Sequence, residues 1–255
     1  MYLLIGTFCT AATPLSPSQF PALKYCATFI FICYTFYMNE KEIIDATVAY
    51  VKGTLFEAEG GHDWWHIYRV WNNAKHIASG ESGINLFVIE LASLLHDIAD
   101  SKFHNGDEEI GPKTARAFLE SISVEESVIE QVENIVRYIS FKGSLEDQIW
   151  TSPELAVVQD ADRLDAIGAI GIARTFNYGG HFGRALYDPT IPPNLSMTKD
   201  EYKKSSAPTI NHFYEKLLLL KNLMNTETGK NIAQERHMYM EQFLEQFYAE
   251  WDGSK

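Results

Sequence analysis

Cysteine is scarce in this chain. Three occur in 255 residues, and Cys9, Cys26 and Cys33 all precede residue 38. From there onward no disulfide can form, so the fold must rest on a packed core. Basic residues are also in short supply, with 21 Lys and Arg against 34 Asp and Glu and a formal net charge of -13. That balance argues against a surface for polymeric nucleic acid, whose phosphates are held by clustered Lys and Arg. It leaves small phosphorylated compounds open, because one metal ion and a few converging cations reverse the sign locally.

Long apolar runs are missing too. The most apolar stretch, Tyr25 to Tyr37, has 13 residues, short of the roughly 20 that a membrane-spanning helix needs. It has the length of a signal-peptide core, but neither a basic cluster before it nor a small-residue cleavage pattern after it. Residues 1–37 read as an apolar extension with three open interpretations: a segment upstream of a start at Met38, a membrane-associating or export segment, or an ordered extension. A cytoplasmic location is the expectation. Residues 38–255 read as one domain, large enough to bury a substantial core.

Strand-like alternation is rare, whereas apolar residues at three-and-four spacing recur in nearly every long segment. The expected class is all-α, with helices over 39–56, 63–80, 85–99, 111–122, 124–140, 152–177, 208–224 and 227–250. Asn85 is a candidate cap for the third. Ser123 with Glu126 forms a capping-box pattern before the fifth, and Ser152-Pro153 opens the sixth. The stretch from Tyr178 to Ala207, with two adjacent glycines and several prolines, is expected to be irregular.

Three segments carry ionisable groups in apolar surroundings. An apolar helix ends in His96-Asp97-Ile98-Ala99-Asp100, which brings both side chains of the His-Asp pair to the core edge. His62 and His66 lie four apart, one turn on one face, but the Glu that follows the first His of a zincin helix is absent. In the third segment Asp160, Asp162 and Asp165 fall within six residues of an apolar helical run. Carboxylates placed there are costly unless paired or metal-bound. Spacing alone lets any of these three bind an ion, and a salt-bridged cluster around Arg163 is the plainer alternative.

Taken together, His66, then His96-Asp97 thirty residues on, then Asp162 resemble the motif of the HD superfamily: a His, a His-Asp doublet and a distant Asp. The resemblance covers most of residues 60–190 and implies a helical bundle around a central metal. Within the superfamily the chain looks like the small stand-alone bacterial hydrolases, on the stretch from Gln159 to Thr175 and on Tyr178-Gly179-Gly180-His181. Several of those cleave nucleoside or deoxynucleoside triphosphates to a monophosphate and pyrophosphate. The implied function is a metal-dependent phosphohydrolase acting on a small nucleotide. A catalytically degenerate module that senses nucleotides is the runner-up, and a membrane-linked interaction protein is a more distant one. A homodimer is compatible with the pattern.

The resemblance makes His66, His96, Asp97 and Asp162 the metal ligands. Such a mixed nitrogen and oxygen set suits manganese, magnesium, iron, cobalt or nickel, and ligand type alone does not choose among them; manganese is the first candidate. Asp100, four residues after His96, stands where related hydrolases carry a Glu that manages the catalytic proton, one methylene longer. Arg163 follows the last ligand, as a phosphate-binding basic residue does in these hydrolases. Arg69, Lys102, His62, His104 and His181 are further candidates to donate to phosphate, and Asp165 to support a ligand histidine from behind. Trp64, Trp65 and Trp71 are expected in the core more than on a base-stacking platform, and His76, His212 and His237 at the surface. Gly168, Gly171, Gly179 and Gly180 form no phosphate loop, since no Lys-Ser or Lys-Thr follows in place.

Overall fold

The computed structural model describes residues 38–56, 63–99, 107–139, 150–198, 201 and 205–255. Asp100, Lys102, His62 and His104, together with the 1–37 extension, lie outside these described residues. Among the described residues the regular structure is helical: α1 Glu40–Thr54, α2 Trp64–Ala78, α3 Leu86–Leu95, α4 Ile110–Ser121, α5 Glu126–Tyr138, α6 Pro153–Asp165, α7 Gly168–His181, α8 Asn211–Glu215, a 3-10 helix Leu217–Leu223, and α9 Glu227–Trp251. None is long and apolar enough to cross a membrane.

The apolar pattern decides the layering. α3 is apolar almost all round, and Val88, Ile89, Leu91, Ala92, Ser93, Leu94 and Leu95 are buried. A helix of that kind must sit centrally, and α3 touches α1, α2, α5 and α6. α2 buries a single stripe, His66, Ile67, Val70, Ala74, Ile77 and Ala78, and packs on α3 and α6. α6 is unusual because Glu154, Gln159, Asp160 and Asp165 are buried along with its apolar face. Glu154 accepts from the Asn85 amide at 3.0 Å, and Gln159 donates to the Tyr138 carbonyl at 3.1 Å. The two aspartates are equally well satisfied and are described below.

Several helix starts follow their caps. Asn39 and Glu42 close a reciprocal capping box on α1. Asp63 accepts from the His66 amide at 2.9 Å, Asn85 from Val88, and Ser152 from Leu155 ahead of Pro153. Ser123 behaves differently from expectation. It takes φ 59° at the end of α4, where Val124 N–H bonds back to the Leu119 carbonyl at 3.1 Å and Ser123 N–H to Glu120 at 3.0 Å. This six-to-one closure terminates α4, and α5 starts at Glu126, its N-cap Glu125 making no side-chain cap bond.

Two expected helices are broken. The one expected over 152–177 divides into α6 and α7 because Ile167 turns extended and Gly168 takes φ 75°. A Cβ on Gly168 would also stand 3.0 Å from Arg236 Cβ. α7 then runs to His181, further than expected. Over 208–224 the chain forms the short α8 and then a 3-10 helix whose Leu217 and Leu220 are buried, a spacing of three that matches its three residues per turn. Gly179 serves close approach, since a Cβ there would lie 2.2 Å from Thr209 Oγ1. The 205–210 segment can therefore lie on α7, held by Thr209 and Ile210 amides donating to Ala185 and Leu186 carbonyls.

Gly168→Ala should lower unfolding free energy by about 1–2 kcal/mol from the left-handed backbone alone, and by more if Arg236 cannot shift. Chemical denaturation of the full chain measures it.

Candidate metal centre

Helix ends build the centre. His66 lies in the first turn of α2, held there by Asp63, while His96 and Asp97 follow the last residue of α3. Asp162 comes from the last turn of α6. A doublet on a continuing helix would send its two side chains in directions about 100° apart; at a helix end both can converge. His66 Nε2 stands 3.3 Å from His96 Nε2, 3.5 Å from Asp97 Oδ2 and 3.5 Å from Asp162 Oδ1. His96 Nε2 is 3.6 Å from Asp97 Oδ2. His66, His96 and Asp162 each offer a ligand atom within 4.8 Å of the others.

The donor set fits one divalent ion. Donors about 2.0–2.2 Å from a common ion stand about 3–3.6 Å apart at neighbouring corners, the spacing of His66 Nε2 from His96, Asp97 and Asp162 and of His96 Nε2 from Asp97. Both imidazoles are also turned the right way. His66 Nδ1 donates to Asp165 Oδ2 at 2.8 Å and His96 Nδ1 to the Ser93 carbonyl at 2.8 Å, so each presents Nε2 to the centre. The imidazoles form a buried floor, with side chains 3% and 2% exposed, while Asp97 and Asp162 form an open rim at 23% and 44%.

Asp165 organises the back of the centre. Its carboxylate, 1% exposed, accepts from His66, from Arg69 Nε at 2.6 Å and Nη2 at 3.0 Å, and from Arg174 Nη1. Burial opposes its charge, but the His66 and Arg69 hydrogen bonds and the Arg174 charge hold it well below the usual carboxylate range. For His66, burial alone would lower basicity. Hydrogen bonds to Asp165 and Asp97 and the charges of Asp162 and Asp97 outweigh it and raise the imidazole to about 9.

The other expected residues distribute unevenly. Arg69 reaches the centre, but through Asp165. Arg163 does not join them: its guanidinium bonds Asp160 at 3.3 Å and the Leu223 carbonyl at 2.5 Å, on another flank of α6, which corrects the expectation that it faces phosphate. His181 ends α7 at the surface, edge-on to Phe182. Trp64 and Trp71 pack against the core, whereas Trp65 is 61% exposed. His237 is buried rather than at the surface. Arg174 was missing from the expectation altogether. Its place in the Gln159 to Thr175 stretch was the available signal, and only the turn at Gly168 aims it back at Asp165.

The three clustered acids thus separate. Asp160, fully buried, accepts from the Asn225 and Thr226 amides at 2.8–2.9 Å, the Thr226 hydroxyl at 2.8 Å and the Asn225 side chain at 3.1 Å. It caps the approach to α9. Asp160→Ala should cost about 3–5 kcal/mol of stability, as expected when one member of a buried charged network is removed, with metal affinity per folded molecule retained. Asp162→Ala should stay within about 1 kcal/mol of the parent and lose metal instead. Denaturation together with metal analysis separates the two.

A pH dependence follows as well. Because His66 keeps its second proton up to about 9 without an ion, metal uptake must release that proton. Affinity should therefore fall as pH drops below about 9 and level off above it. Calorimetry in buffers of different ionisation enthalpy reads the proton count, and zero release at pH 7 would contradict the assignment.

Comparison with known proteins agrees with this geometry. The HD domain family model matches residues 64–167. The uncharacterised protein YpgQ of Bacillus subtilis is 35% identical over 225 residues, covering 85% of this chain and 97% of that protein. A solved HD-superfamily hydrolase from Bacillus thuringiensis is 47% identical, covers 84% of this chain and 99% of its own, and superposes with a TM-score of 0.68. The crystal structure of Bacillus subtilis YpgQ in complex with ADP aligns at 33% identity over 84% of this chain and 97% of its own, with a TM-score of 0.66.

Proposed function

The chain belongs to the HD-domain superfamily, and from that premise we propose that it is a divalent-metal-dependent phosphohydrolase acting on nucleotides. One observation carries the reading: two imidazole Nε2 atoms 3.3 Å apart, with carboxylates of Asp97 and Asp162 3.5 Å from one of them. In support stands a similar protein solved with ADP.

In this reading His66, His96, Asp97 and Asp162 hold the ion; ligand type does not choose the metal, and manganese is the first candidate. When bound, the ion supplies a Lewis acid for the phosphoryl group and for the attacking water. The chain's own residues do the rest. The buried imidazole floor keeps bulk water from one side, and the open carboxylate rim leaves the other to the substrate. Asp165 holds His66 in its working tautomer, and Arg69 and Arg174 keep Asp165 anionic while lending positive charge beside the phosphates. Asp100, four residues past His96, is assigned the proton passed between water and leaving group. Hydrolysis forms a P–O bond from water and breaks the bond to the leaving phosphate or ester oxygen. Lys102, His62 and His181 remain further phosphate donors to test by substitution.

Manganese-loaded protein should release monophosphate and pyrophosphate, measured separately, from at least one nucleoside or deoxynucleoside triphosphate in a panel. His96→Ala and Asp97→Ala should each lose metal content and turnover to background, and Asp165→Asn about 10–100-fold in metal affinity or rate. Full metal and full rate in either ligand variant would refute the assignment. Tight nucleotide binding without product under all metals would mark a sensor instead of an enzyme.

A further inference from the structure

From residue 166 to 187 the chain carries no Asp or Glu, in a protein that holds 34 of them. This acid-free stretch is α7 and its exit. α7 buries one face, Gly168, Gly171, Thr175 and Gly179, and Phe176 packs into an aromatic cluster with Phe213, Phe243 and Phe247. The inner side is thus filled without Tyr178 and Phe182, which stand outside at 53% and 58% exposure. Residues four apart share a helix face, so Tyr178 and Phe182 continue the line that begins at Arg174.

That line starts beside the metal centre, on the Nδ1 side of His66. Arg174 Nη1 lies 3.5 Å from His66 Nδ1 and bonds the Asp165 carboxylate. With a rise of 1.5 Å per residue, Tyr178 follows about 6 Å and Phe182 about 12 Å along the axis. Their rings form a pair with centroids 4.6 Å apart. Arg184, anchored by Nη2 on the Ser205 carbonyl at 2.7 Å, places its guanidinium 5.4 Å from the Tyr178 ring centre. A cationic, aromatic strip that leaves a metal centre suits a ligand with phosphates at one end and a flat ring system at the other.

We propose that Tyr178 and Phe182 form the nucleobase subsite of this enzyme, the base stacking on their rings while its phosphates reach back past Arg174 to the metal centre. The inference rests on the nucleotide reading above and adds the residues that read the base. A second exposed ring pair, Trp65 and Tyr68 on α2 with centroids 5.9 Å apart, is the rival. It begins two residues past Asp63 and lacks the acid-free surroundings.

The test uses the full chain loaded with manganese and two calorimetric probes, ADP and inorganic pyrophosphate, which carries no base. Tyr178→Ala and Phe182→Ala should weaken ADP binding about ten- to hundredfold, the scale of base–aromatic stacking, and leave pyrophosphate affinity unchanged. Tyr178→Phe and Phe182→Tyr should restore ADP binding. Both side chains are exposed, so circular dichroism and elution volume should match the parent. ADP affinity unchanged in both alanine variants would overturn the proposal. So would equal losses for ADP and pyrophosphate, a change in elution volume with no change in affinity, or a loss in Trp65→Ala instead. A parent that binds ADP through these rings but hydrolyses no nucleotide would refute the proposed reaction and support the subsite. A parent that binds pyrophosphate but not ADP would refute the subsite and leave a phosphohydrolase without base recognition.

Discussion

A carboxylate with almost no exposure to water, Asp165, joins three helices at the back of the metal centre. It accepts from His66 and Arg69 on α2 and from Arg174 on α7, and itself ends α6. A buried charge of this kind is strongly destabilising if left unpaired. The three donors offset that cost, and they can do so only while α2, α6 and α7 keep one arrangement. The same contacts set the tautomer of His66 and hence the direction of its Nε2. Support for the fold and orientation of the His66 ring therefore come from the same hydrogen bonds, and loosening α7 would disturb His66.

Asp160 is the counterpart a turn and a half earlier on the same helix. It gathers the amides that precede α9, with Arg163 beside it. One carboxylate ties α6 to α2 and α7 and the other to the C-terminal helix, and Asp162 between them stands 3.5 Å from the His66 imidazole. α6 rotates by about 100° per residue, so acids two and three positions apart address different neighbours. A single apolar helix can in this way serve a site and a scaffold without conflict.

Much of this organisation was legible in the chain. Helical period, the absence of alternation and the caps at Asn85 and Ser152 depend on local interactions, and local interactions are written in neighbouring residues. The His66, His96-Asp97 and Asp162 order was legible through a family resemblance, and the structure brings those four side chains together. Other features were not legible, for identifiable reasons. Ser123 has the look of a cap, but a non-glycine residue took the left-handed position that ends α4. The period over 152–177 gives no sign of the break at Gly168, because the helical pattern continues in register on both sides. Arg163 and Arg174 are both arginines near the motif, and which of them turns to the centre depends on partners sixty residues away for the one and on the α6–α7 turn for the other.

By itself, then, the sequence determined the class, the family and the small set of acids and histidines from which a metal centre could be drawn. These follow from periodicity and from motif order, which survive without knowledge of how the helices pack. Tertiary structure alone decided what each acid in the Asp160, Asp162, Asp165 cluster does. A carboxylate has one chemistry and three environments here: amides before α9, imidazoles over an open rim, and a histidine with two arginines. Those environments come from residues distant in the chain, brought together only when α2, α7 and α9 close on α6.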